Sequence, residues 1–176
     1  MDLFTLFRFI KSDIERFSSH SNKINYLMLM HPRFLPILLI RLAQYLYQKP
    51  LIKPLAHFFT WINVILFGVE CSPKTKIGHG FFMPHSQGIV IGAIDIGNYV
   101  TIFQGVTLGA KTFDLNFSSN LRPSIGNYVT IGAGAKILGG ITLGDNSVVA
   151  ANAVVLRDVP KKHMVAGIPA QIVKRI

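Results

Sequence analysis

From Ile125 onward an aliphatic residue returns at every sixth position: Ile125, Ile131, Ile137, Leu143, Val149 and Val155. A helix repeats every 3.6 residues and a strand every two, so neither produces a period of six. A second register reads Val90, Ile96, Ile102 and Leu108, and a third reads Ile77, Met83 and Ile89. A small residue often follows the aliphatic, as in Ile77-Gly78, Ile96-Gly97, Leu108-Gly109, Ile125-Gly126, Ile131-Gly132, Leu143-Gly144 and Val149-Ala150. This pattern predicts a triangular coil of short parallel strands, three hexads per turn. The aliphatics form one continuous interior column, and the small residues fit the bends.

The period fails between Leu108 and Ile125. Steps of six from Leu108 would place Asp114 and Asn120 in the interior, where an unpaired polar group is costly. Residues 109–124 are therefore expected to leave the coil as an extruded loop, a common place for function on a repeat scaffold.

Residues 1–67 have another character. All 15 glycines fall at or after Gly68, while 8 of the 13 phenylalanines and the single tryptophan, Trp61, precede it. Leu3, Phe7, Ile10, Ile14 and Phe17 form one helical stripe. A turn is expected over 18–22, then helices over 26–30, 34–47 and 55–67, with boundaries marked by Pro32, Pro36, Pro50 and Pro54. The longest uncharged run in this half, 54–69, falls short of the ~20 residues of a membrane span. It reads as a buried or interfacial helix. Arg8, Lys11, Arg16, Lys23, Arg33, Arg41, Lys49 and Lys53 would suit anionic headgroups; the alternative is that these helices pack on one another. No secretory signal is recognisable.

A hydrophobic fraction of 50% excludes a disordered chain. The lone Cys71 excludes an internal disulfide framework and a cysteine-based zinc cage. A net charge of +10 suits an anionic partner, either nucleic acid, anionic lipid or a phosphorylated cofactor. The basic residues are dispersed and accompany no nucleic-acid motif, so nucleic acid is not expected as a partner.

The segments Ile77-Gly78-His79-Gly80, Pro84-His85-Ser86-Gln87-Gly88-Ile89-Val90-Ile91-Gly92, Val106-Thr107-Leu108-Gly109, Ile131-Gly132-Ala133-Gly134-Ala135-Lys136-Ile137-Leu138-Gly139 and Ala166-Gly167-Ile168-Pro169-Ala170 resemble the hexapeptide-repeat acyltransferases, in their serine acetyltransferase-like branch. The short helical leader is similar to that of colanic acid and capsule biosynthesis acetyltransferases. The resemblance implies a mainly β fold: a left-handed parallel β-helix over 71–176 behind a helical segment over 1–70. It implies an acetyl-CoA-dependent O-acetyltransferase without a metal, assembled as a homotrimer with each site between neighbouring coils. A non-enzymatic scaffold built on the same coil is the contrasting reading.

Acetyl transfer to a hydroxyl needs a base for the proton and donors for the developing oxyanion. The resemblance places His85 as that base and Glu70, 15 residues upstream, as the carboxylate orienting it. Gly109 and Ala110 would meet the acetyl oxygen. Gly132, Ala133 and Ala151 would flank the pantetheine arm of coenzyme A. Gly167 and Pro169 would lie near the adenine, and the phosphates would draw on Lys136, Arg157 and Lys174, or on Lys161, Lys162 and Arg175. His79 lies in phase with His85, but the coil offers no third histidine, so no metal is expected.

Two departures bear on the acceptor. Serine acetyltransferases carry an aspartate before the catalytic histidine, where this chain has Pro84. They also carry Asp-Arg-His-Pro where this chain reads Asn120-Leu121-Arg122-Pro123. Fewer charges for an amino-acid zwitterion direct the expectation to a saccharide acceptor. The hydroxyl would be on a capsular polysaccharide or its lipid-linked precursor, contacted by Asp114, Asn116, Asn120 and Arg122 and stacked on Phe113 and Phe117. The expected setting is cytoplasmic, peripheral on the inner face of a bacterial inner membrane. Serine, with Arg122 meeting its carboxylate, is the alternative acceptor.

Overall fold

A computed structural model describes residues 1–18 and 29–176. The helix expected over 26–30 and the turn over 18–22 fall mostly outside the described residues. The coil has three walls of parallel strands. Wall one stacks β1 (Val69–Cys71), β3 (Ile89–Ile91), β6 (Thr107–Gly109), β9 (Lys136–Leu138) and β12 (Val154–Val155). Wall two stacks β2 (Lys76–Ile77), β4 (Asp95–Ile96), β7 (Ser124–Ile125) and β10 (Thr142–Leu143). Wall three stacks β5 (Thr101–Ile102), β8 (Thr130–Ile131), β11 (Val148–Val149) and β13 (His163–Gly167), edged by antiparallel β14 (Ala170–Arg175).

Strand pairing aligns the interior aliphatics into columns. Ile77, Ile96, Ile125 and Leu143 line wall two, and Ile102, Ile131, Val149 and Val165 line wall three. All are buried. In wall one the interior residues are Ile91, Leu108, Ile137 and Val155. Val90, expected inside, faces outward opposite Thr107, and Ile91 takes the interior place. The corner from Ile91 to Ile96 is one residue short of the hexad, so counting back from Ile96 by six reaches the wrong side chain.

The corner from wall two to wall three repeats a left-handed backbone at Gly80, Tyr99, Tyr128, Asn146 and Lys162. Successive coils bond amide to carbonyl there: Tyr99 to His79, Tyr128 to Asn98, Asn146 to Asn127 and Lys162 to Asp145. Tyrosine is an unusual occupant of this conformation. The Tyr99 and Tyr128 rings stack at 5.1 Å and are nearly parallel.

Helices α1 (Leu3–Phe17), α2 (Leu35–Tyr47) and α3 (Lys53–Phe67) precede the coil. Asp2 caps α1, accepting from the Thr5 amide. Proline starts α2 and α3. Gly68, in the left-handed conformation at φ +64°, ends α3 and turns the chain into β1.

The buried face of α1 keeps only the later part of the expected stripe. Leu6, Asp13 and Ile14 are buried, with Ile10 and Phe17 packed beside them, while Leu3 and Phe7 are exposed. Asp13 sets this rotation. Its carboxylate accepts from Arg41 Nε at 2.8 Å, from Arg41 NH2 at 3.1 Å and from the Phe81 amide at 2.8 Å. Arg41 also donates to the Ile77 and Gly78 carbonyls of the first coil and lies over the Phe9 ring. Burial pushes the Asp13 carboxyl up, and Arg41 and the Phe81 amide act against it.

Two cations assigned above to headgroups are thus structural. Arg41 is buried, and Arg16 bonds the Gly80 carbonyl and the Thr101 hydroxyl. Removing one partner of a buried ion pair typically costs ~3–5 kcal/mol. Arg41→Ala is therefore expected to lower stability by about 3 kcal/mol or more in urea denaturation. A loss below about 1 kcal/mol would mean the helical cap does not depend on this pair.

Candidate active site

The chain leaves the regular coil at two corners, and both border wall one. At the corner entering wall one, two residues separate Ile102 from Gly105, Ile131 from Gly134, and Val149 from Asn152. Four separate Met83 from Gly88. The bonds from Gly105 N to Gln87 O, Gly134 N to Gln104 O and Asn152 N to Ala133 O keep these turns in register. The first coil must therefore loop out two extra residues between Met83 and Gln87, and His85 lies on this bulge, exposed. Among the described residues its imidazole has no hydrogen bond or ion pair.

The second departure is the loop 110–123, at the corner leaving wall one. Its return is held closely: a Cβ on Gly140 would collide with the Asn120 carbonyl oxygen. Arg122 braces the loop. Its Nε donates to Asp114 Oδ2 at 2.8 Å, NH2 to the Asp114 carbonyl at 2.9 Å and NH1 to the Gly92 carbonyl at 3.0 Å. Its guanidinium lies over the Phe117 ring. Asp114 also accepts from the Ser118 amide and hydroxyl. Loss of water raises the Asp114 carboxyl, but the bonds from Arg122 and Ser118 outweigh this and hold it below the ordinary carboxylate range.

Between these corners, strand pairing places Glu70, Val90, Thr107 and Lys136 side by side along wall one. A cleft of about 350 Å³ is lined by Thr60, Glu70, Cys71, Gly92, Gly109 and Arg122, among others. Nothing stands within 4 Å of where a Gly109 Cβ would be, so that backbone is open to a ligand. Burial pushes the Cys71 thiol up to about 12. A thiol that stays protonated at neutral pH is unsuited to attack a thioester.

The structure brings some expected residues together and separates others. Glu70, Gly109 and Arg122 share the cleft. Glu70 and His85 are both exposed, and no hydrogen bond or ion pair joins them within the chain. The reason is positional: Glu70 sits mid-wall opposite Val90, while His85 is on the corner. Gly132, Ala133 and Ala151 occupy the same corner as His85, on later coils. Coil stacking also requires Gly132 to be small, because a Cβ there would lie 2.6 Å from the Ala151 amide nitrogen.

Lys136 donates to the Gly105 carbonyl. Arg157 and Lys174 are exposed, while Gly167 and Pro169 form the exposed turn of the β13–β14 hairpin. Asp114 is engaged inside its loop, Phe117 is covered by Arg122, and Asn116 and Phe113 are exposed. His79 packs on Phe9 at 4.4 Å and approaches Ser12 Oγ at 3.3 Å. Burial and nearby Arg41 and Arg8 lower its pKa.

Two site features escaped the sequence reading. Thr60 reaches the cleft from α3, which carried no motif. The two-residue bulge was hidden because Met83 and Ile89 are six apart, although the true interior partner of Leu108 is Ile91, eight residues after Met83.

Residues 122–157 match the family described as bacterial transferase hexapeptide (six repeats). Serine acetyltransferase of Synechococcus elongatus is 40% identical over 149 residues, which are 84% of this chain and 59% of that protein. Serine acetyltransferase of Helicobacter pylori is 38% identical over 155 residues, 84% of this chain and 85% of that protein. A serine acetyltransferase solved in complex with CoA superposes with a TM-score of 0.83 at 33% identity, covering 97% of this chain and 71% of its own. The chain thus spans little more than half of the cyanobacterial relative.

These relatives overturn the saccharide expectation and the capsule branch. Asp114 and Arg122, assigned there to sugar contact, are engaged with each other, so the altered loop is an internally braced element. The match to the Helicobacter pylori enzyme extends over most of both proteins, and this chain belongs to the serine acetyltransferase family of hexapeptide-repeat transferases.

Proposed function

We propose that this chain transfers the acetyl group of acetyl-CoA to the hydroxyl of L-serine, as a homotrimer with each site between adjacent coils. The carrying observation is the two-residue bulge that sets His85 outside the coil, on the same corner as Gly132, Ala133 and Ala151. The small side chains of that corner suit the close approach of a pantetheine arm, and the named relatives support coenzyme A and serine as the two substrates.

His85 takes the proton of the serine hydroxyl as its oxygen attacks the thioester carbonyl. The C–O bond forms, and the carbonyl oxygen gathers negative charge beside the open backbone of Gly109 and Ala110. When the carbon–sulfur bond breaks, the imidazolium returns its proton to the departing thiolate. The products are O-acetylserine and free coenzyme A. Glu70 places a negative charge on the adjoining wall, which favours the transient imidazolium.

Arg122 meets the serine carboxylate. A guanidinium has five N–H donors in a planar fork. Three are used by Asp114 and Gly92. One on NH1 and one on NH2 remain, and they suit a bidentate carboxylate.

His85→Ala is expected to lower kcat on serine by about 10² or more, measured as thiol release from acetyl-CoA. Near-normal turnover would sink the assignment of the base. Arg122→Lys keeps the charge but loses the fork, and should raise KM for serine about ten-fold while KM for acetyl-CoA stays within about two-fold. Equal rises in both would place Arg122 outside the acceptor site. Light scattering should give three chains per particle; a fully active monomer would contradict a site shared between coils.

A further inference from the structure

We propose that α3 lies on an anionic lipid surface. The helix turns only one narrow face inward. Ala56 and Asn63 are buried, and Asn63 Nδ2 donates to the Pro36 carbonyl at the start of α2. Phe59, Thr60, Ile62 and Phe67 are half-buried, with Thr60 at the cleft and Phe67 against the core, and the outer face is mainly apolar and uncovered. Leu51, in the turn Pro50–Ile52 that leads into the helix, is 97% exposed, and within the helix Leu66 is 62%, Trp61 61%, Ile65 56% and Phe58 51% exposed. Stretches of this size and continuity on a soluble surface mark an interaction site.

The charges beside this face select the partner. Lys49 and Lys53 stand at the start of the helix, over the rings of Tyr45 and Tyr47. The Met1 ammonium bonds Gln48, which brings the exposed start of α1, with Phe4, Phe7 and Arg8, to the same end. Residues 1–67 hold only three acids. Asp2 caps α1, Asp13 is buried against Arg41, and Glu15 pairs with Lys11. Among the described residues none of them forms an ion pair with Lys49 or Lys53, although Asp2 lies close enough to Lys49 for that charge to favour its carboxylate. A second copy packed on this face about a two-fold axis would bring like charges together. Anionic headgroups complement them while the apolar side chains enter the interface.

The helix rests in the interface and does not cross. Pro50–Phe67 is long and apolar enough to span by composition, but Asn63 ties it to α2, and Gly68 leads directly into β1 of the coil. Its inner face is thereby held against the protein body.

Trp61 is the single tryptophan and reports the contact directly. The full chain is mixed with phosphatidylglycerol-containing vesicles and with vesicles of phosphatidylcholine alone. The anionic vesicles are expected to shift Trp61 emission to the blue and to carry the protein upward in flotation. Lys49→Glu with Lys53→Glu should weaken this binding by about ten-fold or more. Phe58→Glu with Ile65→Glu, at exposed positions, should abolish it. Acetyl transfer in buffer should be unchanged in both double variants, and His85→Ala should bind vesicles normally, so this result stands apart from the outcome for acetyl transfer. Trp61 emission unmoved by anionic vesicles would overturn the proposal. So would emission already blue in buffer together with a doubled particle mass, which would assign the face to a second copy.

Discussion

Each turn of the coil must place its interior aliphatic directly beneath that of the turn before, and this flush stacking constrains everything else. Ile102, Ile131, Val149 and Val165 can form one buried column only because each intervening segment returns the chain to the same point. A residue added within a strand would turn every later side chain inside out. A residue added at a corner disturbs nothing below it. Both large departures from the hexad, the bulge at His85 and the loop 110–123, are accordingly at corners, and both border wall one. Chemistry is placed where the stacking constraint is relaxed.

The first coil has no turn before it to stack on, and the helices supply the missing surface. Arg41 reaches the carbonyls of Ile77 and Gly78, and Asp13 receives the Phe81 amide. The pair therefore closes backbone groups that another coil would otherwise satisfy. The same arrangement leaves α3 outermost, bonded inward through Asn63 and bare on its other side. The cap thus links two properties: it ends the coil, and it presents an apolar face beside cations.

Much of the coil was legible because its signal is local and repeated. Six aliphatics in step cannot keep that register by chance, and the polar residues that would fall inside at Asp114 and Asn120 exposed the loop. Legibility failed where the hexad is broken twice in succession, with eight residues from Met83 to Ile91 and then five from Ile91 to Ile96. The short corner after Ile91 moved the apparent register onto Val90, and the bulge around His85 stayed hidden behind Met83 and Ile89. Helix α1 was read correctly at Ile10, Ile14 and Phe17 but not at Leu3 and Phe7, because a hydrophobic stripe gives no weight to a buried aspartate. The acceptor was misread because the charges missing at Pro84 and Leu121 were counted against an amino-acid zwitterion, and the sequence does not show that Asp114 and Arg122, assigned to sugar contact, are each other's partners.

The period, the helical leader, the loop boundaries and the presence of His85 in its motif were all determined by sequence alone, since each depends on residues close in the chain. Tertiary structure decided which residues share a surface. Glu70, Gly109 and Arg122 meet in one cleft only because three successive coils stack strand on strand. Asp13 and Arg41, 28 residues apart, become a pair only when two helices close over the first coil. Parallel stacking brings together residues distant in the chain, and no local pattern records which of them will touch.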